Sequence, residues 1–136
     1  MKKIALLLIS IIACTATVSA NFDWTLTADN LNEVCSVTVS TISTIDCRNR
    51  RITSIEWNTF NWLTMIWSNT YIYLNWNNIK SLWENTFNWL TMWGRYNYLH
   101  IEDAWIEEIV SWAFNWLTMW EWHNYIYLSW NNIKNL

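Results

Sequence analysis

The hexapeptide Phe-Asn-Trp-Leu-Thr-Met stands at residues 60–65, again at 87–92 and again at 114–119, so the chain repeats itself every 27 residues. Tyr71 to Leu82 also returns two periods later, as Tyr125 to Leu136, with changes only at the positions of Asn75 and Ser81. The copy between them has diverged to Tyr98-Leu99-His100-Ile101, followed by Ile106 and Ile109. A unit this short cannot bury its own apolar side, so copies must stack and bury one another. Ile72 and Leu74 alternate with Tyr71, Tyr73 and Asn75, which predicts a short strand with one buried face. Phe87 and Leu90, three residues apart, predict a helical or 3₁₀ turn on the way back. Stacking then sets the strands side by side as a parallel sheet.

Within this period, Ile72, Leu74, Asn77 and Ile79, and again Ile126, Leu128, Asn131 and Ile133, follow the order L-x-L-x-x-N-x-I. The pairs Phe60/Leu63, Phe87/Leu90 and Phe114/Leu117 then supply F-x-x-L. Over residues 45–136 the chain resembles the leucine-rich repeat family. The resemblance implies an α/β solenoid with a short curved parallel sheet on the concave face and helical, 3₁₀ or irregular convex segments. It also implies that Asn77 and Asn131 bond backbone groups at the bend as rungs of a ladder, with one rung missing where Ala104 stands. Asn69, Tyr96 and His123 replace the usual first Leu, where extra residues of the convex segment are expected, and the alignment puts His123 on that convex segment. Ile45, Cys47, Ile52 and Ile55 align one period earlier, as a first strand like that of the Cys-containing N-terminal cap found in extracellular members.

Lys2 and Lys3, the apolar run from Ile4 to Ala13, and Val18-Ser19-Ala20 have the form of a secretory signal peptide, too short to span a bilayer. Ile11-Ile12-Ala13-Cys14 offers a second reading, a lipoprotein box that would put a lipid anchor on Cys14. Either one predicts a protein secreted or held at a bacterial surface or in the periplasm. No later stretch is long and apolar enough to be a transmembrane span. With the leader removed, Cys35 and Cys47 remain, and an oxidising compartment favours a bridge between them over two buried thiols. The expected organisation is a leader at 1–20, a cap with the first strand at 21–55, and repeats at 56–136. The repeats lack a C-terminal cap, which suggests a fragment, a truncated product or an edge covered by another chain.

Composition narrows the chemistry. Eight basic residues against 11 acids argue against a nucleic-acid surface, and a single Gly cannot build a phosphate-binding loop. The chain has 14 Trp with one Gly and no Pro, the reverse of what turns need. Trp62, Trp89 and Trp116 sit in Phe-Asn-Trp-Leu, where the resembled family commonly has Gly. Trp76 and Trp130 precede the ladder Asn, and Trp57, Trp83 and Trp112 lie just before the Phe. Gly94 lies one period after Trp67. With 18 Asn, 16 Ile and no Pro, the gene is expected to be AT-rich and poor in UGG. The expectation is that most or all of these Trp are UGA codons read as Gly in the source organism. Genuine Trp would instead form exposed apolar patches, suited to association or to stacking on sugar rings.

No catalytic residue and no cofactor are implied. The two histidines are expected on opposite faces, Ser has no accompanying base, and the zinc spacings are absent. Glu102, Asp103, Glu107 and Glu108 form an acidic group without calcium-loop spacing and read as a solvated face, so no metal is expected. The outward strand positions Tyr71, Tyr73, Asn75, Tyr98, His100, Glu102, Tyr125, Tyr127 and Ser129 are the candidate binding surface for a protein or peptide partner. Cross-strand Tyr ladders also stabilise sheets, and one face can serve both ends. A carbohydrate-binding adhesin and a structural segment of a larger surface protein are the alternatives.

Overall fold

The computed structural model describes residues 24–37, 43–66 and 68–135. The leader with Cys14, Trp67, Thr38 and Val39 of the cap, and Leu136 lie outside them. The cap holds β1 (Trp24–Leu26), α1 (Leu31–Val34) and β2 (Ser36–Val37). The first coil carries β3 (Thr44–Asp46), β4 (Ile52–Ile55) and β5 (Thr64–Met65), and the second β6 (Asn69–Tyr73), β7 (Ser81–Leu82) and β8 (Thr91–Met92). The third carries β9 (Tyr96–His100), β10 (Glu108–Ile109) and β11 (Thr118–Met119), and the fourth opens with β12 (His123–Tyr127).

These coils stack as a β-solenoid of about four turns. Its main sheet runs β12-β9-β6-β3-β2, parallel except for the antiparallel cap strand β2. The register follows the sequence period: Thr44 pairs Tyr71, Tyr71 pairs Tyr98, and Tyr98 pairs Tyr125. On the return side, β11-β8-β5 form a second parallel sheet, and β10-β7 and β1-β4 form two-stranded ones. Parallel ladders without crossover helices are possible because a whole coil separates consecutive strands of each sheet.

Equivalent apolar residues pile on one another in the interior. Ile45, Ile72 and Leu99 are fully buried in the main sheet, as are Met65 and Met92 in the second. Phe60, Phe87 and Phe114 stack through the returns with ring centroids 5.4 and 5.3 Å apart. Asn77 closes the bend after β6. Its Oδ1 accepts the backbone N–H of Arg50 and of Ile52, both at 3.0 Å, and its Nδ2 donates to the carbonyls of Cys47 and Leu74. Asn131 does the same to Ala104, Ile106, Ile101 and Leu128. Cys35 and Cys47 are joined as a disulfide, pinning the cap to the end of β3.

Of the helical or 3₁₀ turn anticipated from the Phe–Leu spacing, the α-helix is not formed, and among the described residues the only helix is α1, in the cap. Each return is instead a run of turns bonded three residues apart, such as Asn88 N–H to Asn85 O and Leu90 N–H to Phe87 O, leading into a two-residue strand. Asn85 and Trp89 take φ of 63° and 54°, and a right-handed helix cannot continue through a left-handed residue.

Candidate functional site

The outward residues of β6, β9 and β12 form a raft of rings. Tyr71, Tyr98 and Tyr125 stack in one row at centroid spacings of 4.9 and 5.3 Å. Tyr73, His100 and Tyr127 stack in the next, at 4.9 and 4.7 Å. Register makes these rows: residues one period apart lie directly opposite on neighbouring strands, and alternation turns them all outward. Most of the rings are half-buried, and Tyr125 is exposed. The third row lies just past the strands, where Asn75 Nδ2 donates to Glu102 Oε2 at 2.6 Å and Ser129 is exposed. Glu102 also receives His100, whose Nδ1 lies 3.0 Å from Oε1.

At the cap end the raft is closed by charge. The Arg48 guanidinium lies 4.5 Å from the centroid of the Tyr73 ring and donates through Nε to Asp46 Oδ1 at 2.8 Å. That hydrogen bond, more than the Coulomb attraction beside it, holds the Asp46 carboxyl below its ordinary range. Burial pushes the Tyr73 and Tyr98 phenols above theirs, so both remain neutral hydroxyls across the physiological range. Arg50 and Arg51 do not join this face. They line a separate cavity of about 450 Å³ with Trp24 and Glu33.

His123 is a correction. It is the first residue of β12, on the same sheet as His100, with its ring 4.6 Å from Tyr96. The strand begins two residues earlier than the Tyr71-type position, so Asn69, Tyr96 and His123 add a fourth outward row. His100 and His123 remain about 13 Å apart along the strand direction, four residues at the usual rise. The same extension shows an inward polar row that sequence reading missed. Thr70 Oγ1 donates to Asn97 Oδ1 at 2.5 Å, and Asn97 Nδ2 donates to the carbonyls of Gly94 and Trp120 and to Asn124 Oδ1. Polar residues one period apart at an alternating position were the available signal.

The acidic group is dispersed. Glu102 belongs to the ring raft, while Glu107 bonds Lys134 Nζ at 2.8 Å and lies 3.8 Å from Lys80 Nζ. Among the described residues no group of His, Cys, Asp and Glu is arranged to hold a metal ion. None of their helices is long and apolar enough to cross a membrane.

The tryptophans make a second aromatic surface on the return side. Trp62, Trp89 and Trp116 stack at 5.1 and 4.9 Å, and Trp93 and Trp120 at 4.7 Å. All five are exposed. Compared with protein-family models, with curated proteins and with solved structures, the chain has no match.

Proposed function

We propose that this is a leucine-rich-repeat-type recognition module of the cell exterior, without catalytic activity, that binds a protein or peptide across the outward face of the main sheet. The observation that carries the reading is the continuous ring raft, Tyr71–Tyr98–Tyr125 beside Tyr73–His100–Tyr127, flanked by Arg48 and Glu102. Rigid aromatic area with hydroxyls at its edge suits peptide recognition, because little side-chain entropy is lost on contact. The polar termini, Arg48 and Asp46 at one end and Glu102 beyond it, would orient the bound chain. The Cys35–Cys47 disulfide agrees with an oxidising compartment.

Selection of a displayed random-peptide library on the folded protein tests this reading. The wild-type chain should enrich a peptide class that the Tyr73→Ala/Tyr127→Ala variant no longer retains, with an unchanged far-ultraviolet circular dichroism spectrum. Equal retention by the variant would sink the sheet-face site. The exposed Trp62–Trp89–Trp116 row favours a second reading, stacking on sugar rings. It would appear as glycan-array binding that Trp89→Ala removes and Tyr73→Ala does not.

A further inference from the structure

We infer that the protein, as its source organism makes it, carries glycine at two structural columns written here as tryptophan: Trp62, Trp89 and Trp116 in the return, and Trp76 and Trp130 at the bend leaving the main strand. The inference concerns the return side and the bends, and does not depend on the ring raft binding anything.

Backbone conformation is the first ground. Trp62, Trp89 and Trp116 take φ of 62°, 54° and 56°, so every described copy of that column is left-handed. The bend column is left-handed in all four coils, at Asn49 (54°), Trp76 (58°), Asp103 (50°) and Trp130 (62°). Where this column is not Trp it is Asn or Asp, the non-glycine residues that best tolerate this region. A bulky ring on such a backbone is disfavoured, and only glycine occupies it without steric cost. Five such residues in one small domain would consume a large part of its net stability.

Packing is the second ground. Among the described residues, the buried apolar core contains Ile, Leu, Met, Phe, Ala and Cys but no Trp. The described core is built without the largest apolar residue, and Trp62, Trp76 and Trp130 stand 71%, 57% and 82% exposed. A chain does not ordinarily leave its biggest hydrophobic side chains outside a core they could fill. Glycine at these columns would remove the Trp62–Trp89–Trp116 row, and with it the surface that favours sugar stacking, while leaving the Tyr and His rows intact.

The discriminating experiment joins the coding DNA with peptide mass spectrometry of the protein isolated from its native source. The expected result is UGA at all five codons and a glycine mass in each peptide spanning them. UGG at these codons, or a tryptophan mass in those peptides whatever the codon, overturns the inference. Because neither measurement involves a ligand, failure here and failure of the peptide-binding reading are separately visible.

Discussion

At the scale of single residues, the backbone angle separates tryptophans that composition treats alike. Trp57 and Trp76 are equally exposed, at 58% and 57%, but only Trp76 is left-handed. Replacing either by Gly removes a similar area of ring from its contacts, so that loss largely cancels between them. What remains is the left-handed penalty of about 1–2 kcal/mol for an L-residue. Trp76→Gly should therefore cost less than Trp57→Gly by about that amount. Urea unfolding of the two variants measures the difference, and equal midpoints would show that the φ at Trp76 carries no cost.

The Arg48 contacts also belong to this scale. Asp46 is held below its ordinary value chiefly by the Arg48 hydrogen bond, so its contribution is present above the ordinary carboxylate range and is lost as pH falls through the lowered value. Tyr73 is raised chiefly by burial, so its contribution is present below the ordinary phenol range and is lost as pH rises through the raised value. Arg48 lowers both groups through its charge. Arg48→Ala should therefore move Asp46 and Tyr73 upward together, as read by carboxyl-carbon and phenol-carbon NMR titration. The ion pair itself is too exposed to matter much for global stability.

At the scale of the coil, rungs between neighbours decide stability. Asn77 is buried and satisfies two backbone N–H groups of the preceding coil. Truncating it to Ala leaves the Ile52 donor unpaired inside, at about 1–3 kcal/mol, and the Arg50 donor unpaired at the part-buried edge. Asn77→Ala should thus lower the unfolding midpoint strongly, whereas Asn75→Ala, on the outward side of the same bend, should change it little. Ala104 occupies the equivalent place one coil later and makes no rung. Ala104→Asn should bond the groups around Leu74 and Ile79 as Asn131 bonds those around Ile101 and Ile106, raising stability by about 1 kcal/mol. Thermal unfolding of the single variants and of Asn77→Ala/Ala104→Asn would show whether neighbouring rungs add independently.

At the scale of the stacked coils, β12 is less covered than the described strands before it. The N-terminal edge of the main sheet is covered by β2 and tied by Cys35–Cys47, while among the described residues β12 pairs only with β9. Ile126 of β12 is 41% exposed, although its counterparts Ile72 and Leu99 are fully buried. In a stacked array each coil draws its stability from its neighbours, so the coil with one described neighbour opens first. Amide hydrogen exchange should show β6 and β9 protected to near the global limit and β12 exchanging well before them. Uniform protection across the three strands would contradict this gradient.

How much of this was legible beforehand follows from where the information resides. The period, the strand at Ile72–Leu74, the Tyr and His rows and the stacked Phe are carried by the sequence. Identical segments 27 residues apart can bury one apolar side only by lying in register, and alternation then assigns each residue a face. Recognition that the main strand begins at Asn69, Tyr96 and His123 required the fold, because Asn97 is an inward polar residue whose partners come from Thr70, Gly94, Trp120 and Asn124. A polar side chain reads as outward until such partners are known. The form of the returns was likewise set in three dimensions: Phe–Leu spacing permits a helix, and left-handed residues such as Trp89, positioned by contact with the coils on either side, do not. Local pattern therefore specifies which residues repeat and stack, while the angle at each corner depends on neighbours that only the assembled coils bring together.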